Sequence, residues 1–382
     1  MAGRAGRRRR GIRLRAVAPW LAIAAALTAV TAACGSAAQP RQAGLTDLAA
    51  RAPAISETGS SLLYPLMRSW AAAYQRSTPG VSVTTASTSS GTGIAAAAAG
   101  GADLGASDAY LSTGDLVKSP TLLNIPLAIA AQTVIYNLPG MSAADHVQLN
   151  GAVLAGIYDG GITMWDDPRI AEINPHLTLP AVKIVPVRRS DSSGDTFLFT
   201  SYLSIGSQST PDPLWNTTIG YGTTVHWPAV PGELREQGSL NVLHACESTP
   251  GCVAYNGVSY LSQALAGNLG EAKLENYAGR YALPTATAIA DSVASFVSLT
   301  PPNETISLVD GPSATGYPIV NYEYAVVSTR QPTAGQASAL RAFLTWIITT
   351  GNQASYLSRV GFQRLPATLV ALGEQQIAEI GS

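Results

Sequence analysis

Along the chain, apolar positions recur with two periods, one of two residues and one of three to four, and the two alternate from Ile55 onward. Val81-Ser82-Val83-Thr84-Thr85 reads as a strand, and Asp103-Leu104-Gly105-Ala106 as a short buried strand ending at Ser107-Asp108. Between them, the Ala-rich run from Ile94 to Ala99 reads as a helix, and before them Leu63, Met67, Trp70 and Tyr74 mark one helical face. Ile129 to Leu138 predicts an apolar strand, and Pro139-Gly140 opens a new series. Asp166-Asp167-Pro168 looks like the cap of a helix from Arg169. Pro211 to Glu236 reads as irregular surface structure, and order returns from Gly251 to Leu261. Tyr317 to Ser328 predicts a strand, and Leu340, Phe343, Leu344 and Ile347 give one face of a helix over Gly335 to Thr350. Repeated strand–helix units predict an α/β fold whose mostly parallel sheet places sites at the carboxyl ends of its strands.

One such strand end organises the chemistry. Ile184 to Val187 feeds Arg188-Arg189-Ser190-Asp191-Ser192-Ser193-Gly194-Asp195, and the loop opens a helix with Phe199, Tyr202 and Leu203 on one face. Free N–H groups and the positive dipole end of a helix favour an anion, small residues let it approach the backbone, and Arg189 adds a two-pronged contact. Many such loops only cap a helix. Gly59-Ser60-Ser61 and Ser89-Ser90-Gly91-Thr92-Gly93 also precede helices, however, so the pattern points to one polyatomic anion gripped from several sides.

The chain has 382 residues, enough for two domains, with 12% charged residues and a net charge of −1. No basic run lies beyond the first fifteen residues, which argues against nucleic acid as a partner. Those first residues belong to a targeting segment: Arg7 to Arg10, Arg13 and Arg15 form a basic region, Trp20 to Val30 an apolar core, and Thr31-Ala32-Ala33 a small-residue stretch ending at Cys34. Residues 1–33 are expected to be a lipoprotein signal peptide and Cys34 the acylated first residue. Ordinary secretion or a retained signal anchor are the alternatives. Residues 34–54, small and polar, read as a tether. No other apolar run approaches the ~20 residues of a membrane span.

Cys246 and Cys252 are an even pair in a chain expected to be exported, which predicts a disulfide contributing on the order of 2 kcal/mol. A metal pair is the rival reading, but His146, His176, His226 and His244 form no ligand-spaced cluster, and neither a metal nor a cofactor is expected.

The three loops, with Pro65 and Trp70, Asp103 to Asp108, Trp165 to Pro168 and Tyr317-Pro318-Ile319, agree in order and spacing with one family. From about Ile55 to the C-terminus the chain resembles the extracytoplasmic phosphate-binding proteins of ABC uptake systems. The resemblance implies a two-lobed periplasmic-binding-protein fold of type II, each lobe a mixed, mostly parallel sheet flanked by helices, with the ligand in the cleft between them. The strand at Tyr317 would return to the first lobe, giving 55–135 with 316–382 as one lobe and 136–315 as the other. It further implies inorganic phosphate as ligand, permease subunits with a cytoplasmic ATPase as partners, and a monomer held by lipid outside the cell membrane.

Carried over residue by residue, the resemblance gives hydroxyls to Ser61, Ser90 and Ser193, backbone N–H groups to Leu62, Gly194 and Asp195, the countercharge to Arg189 and its support to Asp191. Arg188 is expected to face solvent. Asp108 would accept a hydrogen bond from a P–OH, which phosphate has near neutral pH and sulfate lacks. A helix cap at a strand end is the plainer reading of Asp108. The sequence departs from the family twice, with Leu62 where Phe is common and Asp195 where Thr is common. A carboxylate pointing at the anion from 4 Å would cost roughly 4 kcal/mol at an effective dielectric near 20. The Asp195 side chain is therefore expected to turn away, capping the helix or pairing with a cation, while its backbone N–H serves the anion and Thr196 replaces the missing hydroxyl. A receptor for sulfate or molybdate is an alternative. A phosphatase-like hydrolase is another, but no Gly-x-Ser-x-Gly elbow occurs and no His accompanies the Ser-rich loops, so no enzyme activity is expected.

Overall fold

The computed structural model describes residues 53–142, 144–208 and 215–382. The expected signal peptide, Cys34 and the tether up to residue 52 lie outside the described residues. In chain order the strands are β1 (Ala54–Gly59), β2 (Ser82–Ser87), β3 (Leu104–Ser107), β4 (Leu122–Tyr136), β5 (Gln148–Leu149), β6 (Val185–Arg189), β7 (Leu234–Glu236), β8 (Cys252–Gly257), β9 (Gly270–Glu271), β10 (Lys273–Glu275), β11 (Tyr281–Ala282) and β12 (Val320–Ser328). A nine-stranded sheet has the order β2-β1-β3-β12-β4-β8-β6-β7, with β9 paired to β4, and β11-β10-β5 form a small second sheet.

Parallel pairing runs through β2, β1 and β3 on one side and through β8, β6 and β7 on the other. The two sides meet through β12 and β4, which pair antiparallel with each other and with their outer neighbours. β4 is a 15-residue strand whose first part pairs β12 and whose second part, from Gln132, pairs β8. The apolar pattern predicted a strand only from Ile129, because Pro126 and Asn124 interrupt the run. The proline is accommodated by a bulge: Tyr324 stands opposite Pro126 and Glu323 opposite Ala128, leaving Leu127 as the extra residue.

Helices cover the sheet. Tyr64–Ser77 buries Leu66, Met67, Trp70 and Tyr74, and Ala334–Trp346 buries Leu340, Phe343 and Leu344 before passing into a wider turn, short of the predicted Thr350. Asp167 caps the helix Pro168–Glu172, as its sequence suggested. Ser89 accepts from the Thr92 N–H and starts its helix at Ser90, four residues before the predicted Ile94. Within the stretch expected to be irregular, β7 pairs parallel with β6. The predicted disulfide is present, joining Cys246 at the end of helix Gly238–Glu247 to Cys252 at the start of β8, with 5.3 Å between Cα atoms. Among the described residues no helix is long and apolar enough to cross a membrane.

Candidate functional site

The ends of β1, β3 and β6 each run into one of the loops singled out by the sequence. Gly59 closes β1 with φ +150, and a Cβ there would lie 2.1 Å from the Ala106 carbonyl oxygen, so only glycine lets the chain turn this close to β3. That turn sets Ser60 beside Asp108, whose Oδ1 accepts from the Ser60 hydroxyl. Ser90, the first residue of its helix, donates through Oγ to Asp108 Oδ2 at 3.1 Å. Asp108 is 2% exposed and is held from both sides by hydroxyls, so it is not the simple helix cap that its place after a strand would allow.

From the other side comes β6. Arg189 leaves the strand buried, donates through Nε to Asp191 Oδ1 at 2.7 Å, and pairs through Nη2 with Asp191 Oδ2. Nη1 donates to Asp195 Oδ2 at 2.7 Å and to Ser239 Oγ at 3.4 Å. Burial opposes the guanidinium charge, but Asp191 and then Asp195 more than offset it, so Arg189 holds its proton more firmly than usual. The Asp195 side chain thus pairs with a cation, as expected, and also accepts from Ser239 Oγ at 2.9 Å and from Gln132 Nε2 at 3.1 Å. Burial, then the Asp108 charge, push the Asp195 carboxyl up to about 6.

One expectation fails. Arg188 does not face solvent: it is 9% exposed, donates through Nε to Glu233 Oε2 at 2.8 Å, and lies over the Trp227 ring at 5.4 Å. β7 explains this, because its parallel pairing with β6 carries Glu233 and the loop before it across Arg188. The Thr196 hydroxyl lies 2.9 Å from the Tyr255 hydroxyl, which itself accepts from the Arg189 N–H.

Ser193 is the N-cap of helix Gly194–Gly206, yet its hydroxyl makes no capping bond and, though buried, has no hydrogen-bond partner. An orphaned hydroxyl at a helix start is what a binding site for an oxyanion would supply. Gly194 follows, and a Cβ there would lie 2.6 Å from Asp108 Oδ2 and 2.8 Å from Ser90 Oγ. The two halves of the sheet therefore close on each other at this point. The Gly91 N–H donates to the Ser192 carbonyl at 2.9 Å, and Ser61 Oγ lies 2.7 Å from Ser239 Oγ. Leu62 is fully buried, with Gly257 against its side chain. The structure thus brings together Ser61, Leu62, Ser90, Asp108, Arg189, Asp191, Ser193, Gly194 and Asp195. Outside the loops lies a cavity of about 720 Å³ whose walls include Gly91, Ser192, Tyr110 and Tyr221.

Three residues join the site without having been singled out in the sequence. Ser239 links Ser61, Asp195 and Arg189; a Gly238-Ser239 helix start of the same hydroxyl–glycine type was the available signal. Gln132 donates to both the carbonyl and carboxylate of Asp195. Glu323 is fully buried on β12 and accepts at Oε1 from Asn321 Nδ2 at 2.8 Å, and the same amide donates to the Asp108 carbonyl at 3.2 Å, so that the Glu323 carboxyl faces that of Asp108. Among the described residues no group of His, Cys, Asp and Glu is arranged to hold a metal ion.

The chain as a whole is similar to known proteins. Residues 35–350 fit the model of the PBP superfamily domain. The chain is 34% identical to a phosphate-binding protein PstS of Methanocaldococcus jannaschii, over 84% of each chain. It is 32% identical to one of Xylella fastidiosa, over 83% of this chain and 82% of the relative. Among solved structures, its fold is similar to a high-affinity periplasmic phosphate-binding protein with phosphate bound, at TM-score 0.66 and 21% identity, covering 86% of this chain and 99% of the other. It is also similar to a putative phosphate ABC transporter substrate-binding protein of Clostridium perfringens with bound phosphate, at TM-score 0.56 and 18% identity, covering 82% and 100%.

Proposed function

The chain belongs to the PBP superfamily and within it to the phosphate-binding proteins, and on that premise we propose that it captures inorganic phosphate outside the cytoplasmic membrane and hands it to the permease of an ABC transporter. The observation that carries the reading is the meeting of Asp108, Arg189 and the partnerless Ser193 hydroxyl at the seam between the two halves of the sheet. Hydroxyls of Ser61, Ser90 and Ser193 and the N–H groups of Leu62, Gly194 and Asp195 would donate to the phosphate oxygens. Arg189, held in place by Asp191, supplies the countercharge, and Asp108 accepts the ligand proton. We assign 55–135 with 316–382 to one lobe and 136–315 to the other, so that opening the seam admits the ion. The protein acts as a monomeric carrier, not an enzyme, and is anchored by lipid at Cys34.

Isothermal titration with phosphate, arsenate, sulfate and molybdate tests this. Phosphate binding one to one at micromolar or tighter, about −8 kcal/mol, supports it, as does the absence of turnover with a phosphate ester. Tighter binding of sulfate or molybdate than of phosphate would replace it with a receptor for another oxyanion.

A further inference from the structure

Among the described residues the site holds one cation, Arg189, against the carboxyls of Asp108, Asp191, Asp195 and Glu323. Were all four ionised, an incoming anion would meet a net negative site, and two carboxyls as close as Asp108 and Glu323 would repel each other. Two carboxyls form a hydrogen bond only if one carries a proton. Glu323 has every mark of being that one. It is fully buried, its Oε2 accepts from no donor group, and Asn321 ties it to Asp108, its Nδ2 donating both to Glu323 Oε1 at 2.8 Å and to the Asp108 carbonyl at 3.2 Å. Tyr324 pairs with Ser107, which brings the neighbouring Glu323 to the end of β3, and the bulge at Leu127 on β4 lies directly opposite and re-aims the strand.

We propose that Glu323 is a proton-carrying positioning residue: its carboxyl donates to Asp108, aims that carboxylate at the anion, and keeps the pair at a single negative charge. The proposal rests on the reading of the site as phosphate-binding. Burial first, and then the Asp108 charge, raise the Glu323 carboxyl well above its ordinary range. The groups facing it are Asp108 from the end of β3, Asp195 from helix Gly194–Gly206, and neutral Asn321 on its own strand, with uncharged Ala128 opposite on β4. Arg189 lowers both Asp108 and Asp195, the two carboxyls that face it.

The test is the phosphate dissociation constant between pH 6 and pH 10 for the parent, Glu323→Gln and Glu323→Ala. In the parent, loss of the shared proton at high pH leaves two carboxylates beside the anion, so affinity falls at least tenfold across the range. Glu323→Gln keeps a donor that cannot ionise: it binds about threefold more weakly than the parent at pH 6 and more tightly at pH 10. Glu323→Ala removes the donor and weakens binding tenfold or more at pH 7, of which Gln restores most. Tightening by Gln at every pH would show that Glu323 is ionised and overturn the proposal. So would a parent profile flat with pH, a result that needs neither variant to fold. A parent that fails to bind phosphate at any pH would instead remove the reading of the site on which this one stands.

Discussion

Arg189 Nη1 donates to Asp195 Oδ2 across 2.7 Å, with the two side chains 2% and 1% exposed. In this chain the guanidinium is shared between two carboxylates, Asp191 on one edge and Asp195 on the other. Asp195→Thr removes one competitor for Arg189 and leaves Asp191 to neutralise it. Phosphate affinity should stay within tenfold of the parent, ~1.4 kcal/mol, or tighten. A hundredfold loss in a calorimetric titration would mean that Asp195 itself accepts the ligand proton.

Arg189→Ala has the opposite character. It leaves Asp195 buried and Asp191 half-buried without their cation, and breaking a buried pair in this way typically costs about 3–5 kcal/mol of stability. Phosphate binding should fall at least a hundredfold, and urea unfolding should shift to lower midpoint. Arg189→Lys keeps the charge but not the fork that spans Asp191, and should lie between the two. An unchanged dissociation constant for the Ala variant would take Arg189 out of the site.

These partners differ in how far the sequence announced them. The three hydroxyl–glycine loops and Arg189 were legible because each lies at a strand–helix junction, where local spacing alone says that donors converge. Glu323 was not, since it sits between Tyr322 and Tyr324 in a strand whose burial is nearly complete, and only long-range pairing with β3 brings it to Asp108. The same holds for Arg188, which local sequence leaves free and β7 covers. β4 was read short because Asn124 and Pro126 interrupt an apolar run that the sheet carries through by a bulge. Local chemistry fixes what a loop can hold, while register decides which distant acids share it.

Asp108→Asn tests discrimination between anions. The carboxylate accepts from Ser60 at Oδ1 and from Ser90 at Oδ2, so the amide keeps an acceptor for one hydroxyl and turns an NH2 toward the other, which must then accept. What the amide adds is a donor where sulfate previously met an acceptor. Sulfate affinity should rise at least tenfold while phosphate weakens less than sulfate gains, measured by competition titration. If sulfate is rejected as strongly by the variant as by the parent, the proton-reading role of Asp108 is wrong.

The last prediction concerns stability away from the site. Glu304 is fully buried, accepts at Oε2 from Gln376 Nε2, and has no donor at Oε1. Burial pushes its carboxyl up to about 9 from an ordinary 4.5. Between those two values the folded chain holds a proton here that the unfolded chain has released, so the unfolded state binds fewer protons and stability must fall as pH rises, by at most about 1.4 kcal/mol per pH unit for one group. The contribution is fully present below about pH 4.5 and is lost as pH climbs through the folded value. Glu57, pushed up to about 8, and Glu271, to about 7, add to the slope over the lower part of the same window. Glu304→Gln fixes the neutral form and keeps an oxygen for the Gln376 amide. Its unfolding free energy should therefore decline less steeply than the parent's between pH 5 and pH 9, with the two curves separating most at the alkaline end. Parallel urea-unfolding curves across that range would mean that Glu304 is ionised in the folded protein and paired by a group other than Gln376.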